Sequence, residues 1–139
     1  MNFDEDGLAT IHAPAAGIAY INREGKTAWA FPFDNGADYF VEGLARTRRD
    51  WKLGFINKSL DVVVEPVWDF AFPFEGGVAI VCQGCKRVPV CPGCEHLKVV
   101  DGLWGYIDRQ GQIVVPVSHS QEALPPRPTL DPGRENPER

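Results

Sequence analysis

The sequence predicts an all-β protein, an antiparallel β-hairpin repeat array of two to three units with a cysteine-rich insertion. Two observations support this fold class. Apolar residues alternate or cluster in short β-branched and aromatic runs, and glycines and charged turns bound these runs. The same sequence elements also recur along the chain at a nearly constant spacing, which is typical of repeat architectures. We expect little helix, since only the region around residues 34–41 could hold a turn or two.

The clearest recurring element is a small residue, an aromatic residue, isoleucine and then Asn or Asp. Its three copies are Ala19-Tyr-Ile-Asn22, Gly54-Phe-Ile-Asn57 and Gly105-Tyr-Ile-Asp108. The first and third copies reach a glycine three residues later, at Gly25 and Gly111, whereas the second has Leu60 there. A glycine at this place suits a tight hairpin turn that needs positive φ.

Two further elements recur in a fixed order around the first one. A lead-in segment is found at Phe3–Ala9, Phe40–Ala45 and Phe74–Ala79. A β-branched run that reaches a proline follows the turn, at Val62–Trp68 and Ile113–Val117. We expect the run to form the return strand and Pro116 to end it, because proline cannot donate to a β-ladder.

The spacing of the copies shows where extra residues have been inserted. Ala9 to Ala45 spans 36 residues and Ala45 to Ala79 spans 34, but Gly54 to Gly105 spans 51. Ala19 to Gly54 spans 35, so the last interval is 16 residues too long. All four cysteines lie in the excess, and we therefore place a cysteine-rich insertion at residues 82–98 within one repeat.

These elements resemble those of the WG-repeat family, whose units carry a Trp-Gly-Tyr-Ile-Asp core, a Phe-x-Glu-Gly-Leu-Ala lead-in and a Gly-x-x-Val-x-Pro return. The resemblance covers roughly residues 3–117, and Trp104–Asp108 matches closely, while the first and second copies lack the tryptophan. It implies a β-rich repeat scaffold, found in many bacterial proteins and without known catalysis, which binds or assembles. The predicted core positions of the repeats are Tyr20, Phe55, Trp104, Gly105, Tyr106 and Asp108.

The aromatic residues are expected to pack rather than to bind a ligand. An aromatic side chain at a fixed repeat phase usually buries against neighbouring structure, and glycine beside Trp104 allows a ring or backbone to approach closely. The alternative is an exposed stacking ladder, for which Trp51, Trp68 and Trp104 would have to line one groove.

The cysteines form two Cys-x-x-Cys pairs, Cys82 with Cys85 and Cys91 with Cys94, separated by five residues. Two such knuckles facing each other predict a structural zinc site with four thiolate ligands and no open position for catalysis. His96 is a spare ligand. Reduced structural thiols, an adventitious disulfide and redox chemistry remain alternatives, although a thioredoxin-like site would require a βαβ context that the sequence lacks.

Charge and composition narrow the classes of partner. The formal net charge of −5 disfavours nucleic acid, and we expect the Arg46–Arg49 cluster to be solvated in a loop. Acidic residues follow Met1 where a leader would be basic, and the apolar runs are shorter than the ~18 residues of a membrane span. We expect a cytoplasmic protein, with a domain at residues 1–117 and a proline-rich disordered tail at 118–139.

Function is expected to be non-catalytic, because no histidine is arranged with a nucleophile and no phosphate-binding loop is present. The leading hypothesis is a protein-interaction or scaffold module, with an immunity- or antitoxin-like binding protein as one version. Its specificity would lie in the loops at residues 34–39 and 46–52 and in the cysteine insertion. The alternative is a module that binds glycan or peptidoglycan through exposed aromatic residues.

Overall fold

The computed structural model describes residues 3–13, 17–33, 36–94 and 96–128, and throughout these ranges the regular structure is β-strand. The predicted all-β, antiparallel fold class is therefore confirmed, and residues 36–41, the described part of the region that could have held a turn of helix, contain none. None of the described residues belongs to a helix long and apolar enough to cross a membrane. The chain divides into two compact units, Met1–Val67 and Trp68–Arg139.

The amino-terminal unit contains two three-stranded antiparallel meanders. The strands of the first are β1 (Leu8–Ala13), β2 (Gly17–Asn22) and β3 (Thr27–Trp29). A two-stranded hairpin of β4 (Pro32–Phe33) and β5 (Gly36–Ala37) follows. The second meander consists of β6 (Ala45–Arg49), β7 (Lys52–Ile56) and β8 (Val62–Trp68), the last strand ending at the boundary of the unit.

The carboxy-terminal unit contains a third meander, enlarged by two additions. Its sheet has the order β14-β13-β10-β9, with β9 at Phe70–Ala71, β10 at Val78–Gln83, β13 at Leu103–Asp108 and β14 at Ile113–His119. Between β10 and β13 lies a separate hairpin of β11 (Lys86–Pro89) and β12 (Leu97–Val100). The predicted insertion is thus a hairpin placed between the first two strands of one repeat.

The three meanders are copies of one another at the level of individual residue pairs. In each, an alanine of the first strand lies opposite the isoleucine of the recurring element in the second strand. The pairs are Ala9–Ile21, Ala45–Ile56 and Ala79–Ile107. Because a slip of one residue would turn every side chain to the other face, the shared register puts the recurring aromatic residue on the same face in each repeat.

The turn after the second strand is also the same in the three repeats. The side-chain Oδ1 of the Asn or Asp accepts the backbone N–H groups two and four residues later, at 2.9–3.0 Å. The residues that do this are Asn22, Asn57 and Asp108. Such side-chain to backbone bonds fix the turn without help from the rest of the fold, which explains why the Asn or Asp recurs.

One of the three recurring lead-in segments, Phe3–Ala9, contains a different type of turn from the other two. The turns before β6 and β10 are two-residue turns with positive φ at both central positions, as in Glu42 (55°) and Gly43 (82°). The segment Phe3–Ala9 instead carries the Asx turn described above, with Asp4 Oδ1 accepting the N–H groups of Asp6 and Leu8 at 2.9 Å. Its alignment with the other lead-ins was therefore wrong in local geometry.

The glycine of the recurring element is required by the backbone of the third strand. A Cβ on Gly54 would lie 2.7 Å from the backbone N of Pro66 and still closer to the carbonyl oxygen of Val64. A Cβ on Gly105 would lie 2.5 Å from the carbonyl oxygen of Val115. The neighbour that approaches is thus main chain, which cannot move aside as a side chain can.

The prolines that follow this close approach do not end their strands. β14 continues past Pro116 to His119, and β8 likewise contains Pro66, so the expected termination at Pro116 is wrong. Both strands lie at the edge of their sheets, where a residue without an N–H costs no ladder hydrogen bond. The register of β14 against β13 shifts around Tyr106, which marks an irregularity at the same place.

The described part of the predicted tail extends the third repeat. β14 ends two residues beyond the expected domain boundary, and residues 120–128 include main-chain hydrogen bonds such as Ala123 N–H to Ser120 C=O at 3.1 Å. The remainder of the predicted tail, 129–139, lies outside the described residues.

We predict that Gly54→Ala lowers the free energy of unfolding by more than about 2 kcal/mol, because the added Cβ must displace main chain rather than a flexible side chain. Urea-induced unfolding followed by tryptophan fluorescence measures the change. Gly36→Ala is the matched control, since its Cβ would meet nothing within 4 Å. Equal stability of the two variants would contradict the proposed close approach.

Leu60 holds the turn position that is glycine in the other two repeats, and it does so at a φ of 65°. Its side chain is buried in a cluster with Leu8, Tyr20 and Ile56. A left-handed conformation costs a residue with a Cβ roughly 1–2 kcal/mol, whereas removing a buried leucine side chain costs about 2–5 kcal/mol. Side-chain burial therefore outweighs the backbone strain.

From this balance we predict that glycine is a less destabilising replacement for Leu60 than alanine, although alanine keeps more of the side chain. Leu60→Ala and Leu60→Gly should both lose at least about 2 kcal/mol of stability through the lost packing. The glycine variant should nevertheless be the more stable of the two by about 1 kcal/mol, because it alone relieves the strain at positive φ. Urea midpoints of the two variants, measured side by side, decide the order; an alanine variant that is equal or better rules out the strain.

Candidate functional site

The residues predicted as the repeat core lie inside their repeats. The side chains of Tyr20, Phe55, Trp104 and Tyr106 are all buried. Gly105 allows the approach of β14, and Asp108 closes the turn before it. These positions therefore supply packing and chain reversal, and they present no common surface to a ligand.

The four tryptophans differ widely in exposure. Trp104 and Trp68 are buried, and the Trp104 indole N–H donates to the carbonyl oxygen of Asp101 at 2.7 Å. Trp51, in contrast, is 82% exposed at the turn between β6 and β7. Trp29 is partly covered by the guanidinium of Arg48, whose Cζ lies 5.1 Å from the ring centre.

The predicted zinc site is wrong, because the cysteines pair within each Cys-x-x-Cys as disulfides. Cys82 is bonded to Cys85 and Cys91 to Cys94, with Cα–Cα distances of 6.0 and 5.3 Å. A disulfide sulfur carries no thiolate charge for zinc. In the part of the chain that the structure describes, which includes His96, three or more His, Cys, Asp or Glu side chains nowhere come together as a metal site.

The positions of the two pairs supply a physical reason for this correction. Cys82 is buried at the end of β10, whereas Cys91 and Cys94 follow β11 at the end of its hairpin. The four residues of β11 separate the pairs, and a strand of that length spans about 13 Å. Zinc–sulfur bonds of about 2.3 Å cannot bridge such a separation. The extended conformation of the connector thus separates the two knuckles that the sequence led us to place face to face.

A buried ion pair, missed by the sequence analysis, joins the first two repeats. The Arg46 guanidinium donates from Nε and Nη2 to the two carboxylate oxygens of Asp38, both at 2.9 Å, and the Arg46 N–H donates to Oδ2 at 3.0 Å. Both side chains are about 95% buried. The expectation that Arg46 is solvated in a loop is therefore wrong: it belongs to β6 and faces the core.

Tyr20 extends this buried network. Its hydroxyl donates to the main-chain carbonyl oxygen of Asp38. Burial, helped by the nearby Asp38 carboxylate and opposed by the Arg46 guanidinium, raises the pKa of Tyr20 well above its usual range. A tyrosine hydroxyl is protonated at neutral pH even at its ordinary pKa, so the Tyr20 hydroxyl is available as the donor to the Asp38 carbonyl.

An open cleft of about 350 Å³ lies beside this network in the amino-terminal unit. Carboxylates and aromatic rings line it, among them Asp4, Asp6, Tyr39 and Phe40. Lys58, also in the lining, forms an ion pair with Asp6 at 3.0 Å. One carboxylate oxygen of Asp4 accepts hydrogen bonds from the main-chain N–H groups of its own turn. The cleft is of a size that can admit a side chain, but its charges are largely matched internally.

The carboxy-terminal unit contains an occupied pocket formed by Tyr106 and the turn Glu75–Val78, hereafter the Tyr106 pocket. Arg127 Nη1 donates to the carbonyl oxygens of Glu75 and Val78, at 3.1 and 2.9 Å. Its Nη2 lies 3.6 Å from Glu75 Oε1, and its Cζ lies 5.8 Å from the ring centre of Tyr106. The Tyr106 hydroxyl donates to the carbonyl oxygen of Pro125 at 2.8 Å.

We predict that Asp38→Ala destabilises the protein by about 3–5 kcal/mol, because it leaves a buried guanidinium without its counter-charge. Asp61→Ala, which removes the exposed partner of Lys26, should cost less than about 1 kcal/mol. Thermal and urea unfolding of both variants provide the comparison. Similar losses for the two would mean that the Asp38–Arg46 pair is not desolvated.

Comparison with known families agrees with this architecture. The model of the WG containing repeat matches residues 54–86 and 104–117, which confirms the resemblance over these two segments. The unmatched residues between the two segments, 87–103, contain the inserted hairpin except for Lys86. Strands β1–β3 lie before the first matched segment, although β1 and β2 pair in the same register as β6 and β7. No curated protein and no solved structure shows significant similarity to the chain.

Proposed function

We propose that this WG-repeat chain is a non-catalytic protein-interaction module, in which the repeats form a rigid scaffold and the exposed turn tips recognise a partner. One observation carries the proposal: the aromatic residues of the repeat motif are buried, while Trp51 at a turn tip is 82% exposed. Tryptophan is highly buried on average, so a ring exposed to this degree is unusual. This exposure becomes an advantage when a partner covers the ring.

Trp51 has the features of an interface anchor. Tryptophan is among the residues that dominate binding energy at protein interfaces, and the β6–β7 hairpin holds it with a tight turn in which Asp50 has a φ of 58°. Tyr39, 60% exposed, offers a second aromatic side chain in the same unit. Rigid presentation lowers the entropy lost on binding, which is how preorganised surfaces gain affinity.

The alternative function, recognition of glycan or peptidoglycan by an aromatic groove, gains no support from the positions of the tryptophans. It depended on Trp51, Trp68 and Trp104 lining one exposed groove, and two of the three are buried. A stacking platform needs an accessible ring face. We therefore keep the protein-binding hypothesis as the leading one.

The finer identity of the partner is a further part of the proposal. The net charge of −5 favours a partner with a basic surface, because complementary charge steers association. An immunity- or antitoxin-like role, in which a small acidic protein covers a basic effector, is compatible with this charge. Nucleic acid and membranes are not proposed as partners.

The test is site-specific photo-crosslinking followed by affinity measurement. A photoreactive phenylalanine at position 51 should capture one discrete protein from the native host, whereas the same residue at Glu24, on an exposed turn of the first repeat, should not. With the captured partner purified, Trp51→Ala should weaken binding roughly tenfold or more, as expected for an aromatic hot spot. Tenfold corresponds to about 1.4 kcal/mol.

Two results would count against the proposal. Crosslinking at position 51 that gives the same diffuse pattern as position 24 would mean that the tip meets no specific protein. A captured partner that binds Trp51→Ala as tightly as the wild type would remove the tip from the interface. Circular dichroism of the variant, expected to match the wild type because the side chain is exposed, excludes misfolding as the cause.

A further inference from the structure

We propose that the Tyr106 pocket is a receptor for a proline-flanked arginine in an extended peptide, that Pro125–Pro128 occupies it within this chain, and that a segment of the same chemistry in a partner protein replaces it. The inference rests on the proposed protein-binding function. It adds a second contact site, in the carboxy-terminal unit, and states the chemistry of the partner.

The pocket is built to receive a guanidinium. Arg127 contacts four electron-rich groups in it: the carbonyl oxygens of Glu75 and Val78, the Glu75 carboxylate and the face of the Tyr106 ring. A guanidinium is planar, always charged and more weakly hydrated than an ammonium group, so it can donate at its edge and also stack on a ring. The combination of acceptors and an aromatic face therefore selects arginine over lysine.

The peptide backbone is recognised separately from the arginine. The Tyr106 hydroxyl donates to the carbonyl of Pro125, two residues before Arg127. Prolines on both sides of the arginine have no N–H groups to leave unsatisfied, and they favour the extended polyproline II conformation before binding. The pocket thus binds a main-chain carbonyl and, two residues later, a side chain. Peptide-binding modules that recognise proline-rich segments likewise bind an extended backbone in an aromatic-lined groove.

The first repeat contains the same arrangement of tyrosine, carbonyl and covering side chain. Tyr20, at the position equivalent to Tyr106, donates its hydroxyl to the carbonyl of Asp38, and the ring of Phe40 lies 5.2 Å from the Tyr20 ring. In both repeats the tyrosine binds a carbonyl and is covered by the side chain two residues later. That side chain is apolar in the first repeat and arginine in the third, so the covering residue is what changes the chemistry.

The contacts within the chain are of a kind that a partner could exchange. Residues 120–128 form no strand pairing, the Arg127 side chain remains 26% exposed, and Glu75 is 78% exposed. An ion pair between such exposed side chains contributes little to stability. A tethered segment nevertheless competes at an effective concentration on the order of millimolar, so an added peptide should bind well only when the chain's own arginine is removed.

The probe is the acetylated and amidated peptide of residues 121–128, Gln-Glu-Ala-Leu-Pro-Pro-Arg-Pro, titrated into the full chain by NMR. We predict at least tenfold tighter binding to Arg127→Ala than to the wild type. The same peptide with alanine or lysine in place of arginine should bind Arg127→Ala at least fivefold more weakly. Adding Tyr106→Phe to Arg127→Ala should weaken the arginine peptide about fivefold, through the lost hydrogen bond.

Arg23→Ala is the matched control, because it removes an arginine that lies over the ring of Phe3 in the amino-terminal unit. It should behave as the wild type does. The proposal is overturned if Arg127→Ala binds the peptide no better than the wild type, or if the arginine and alanine peptides bind it equally. Since the crosslinking at position 51 does not involve this pocket, a specific partner captured there would leave the general function standing when the peptide fails to bind.

Discussion

The close approach of one strand's backbone to a glycine is the constraint on which the second and third repeats depend. At Gly54 and Gly105 the carbonyl of the third strand occupies the space of a Cβ. The edge strand thus approaches the second strand closely at the glycine, and the aromatic residue next to the glycine, Phe55 or Tyr106, is buried. The first repeat, with Ala19 at this position, pairs it regularly with Trp29, and its third strand is only three residues long.

The repeat pattern could be predicted from sequence because its causes are local. An Asn or Asp that closes its own turn, and a side-chain period of two along each strand, act within about ten residues. The period of these elements can therefore be read from the order of residues, and it correctly predicted an all-β fold built from antiparallel hairpin repeats. Leu60 shows the limit of such local rules, since a buried side chain there overrides the preference for glycine at positive φ.

The features that sequence reasoning missed depend on partners set by the fold. Arg46 resembles its neighbours Arg48 and Arg49 in sequence, and only the position of Asp38 makes it a core residue. The two Cys-x-x-Cys pairs suit zinc or disulfides equally well by spacing, and the decision lies in whether β11 folds back or extends. Pro116 appeared to end a strand because nothing in the sequence marks β14 as an edge.

The tyrosine hydroxyls connect this architecture with recognition. Burying a hydroxyl without a partner costs roughly 1–3 kcal/mol, so Tyr20 and Tyr106 each require an acceptor, and each finds a main-chain carbonyl of the segment that follows its repeat. Because every residue has a main-chain carbonyl, any extended segment beside the tyrosine hydroxyl can provide this acceptor, whatever its side chains are. Phe55 has no hydroxyl, and the second repeat is free of the demand. The tyrosine hydroxyl therefore requires a main-chain carbonyl but places no constraint on the side chains of that segment. The binding chemistry can then change through the residue that covers the tyrosine ring, Phe40 in the first repeat and Arg127 in the third.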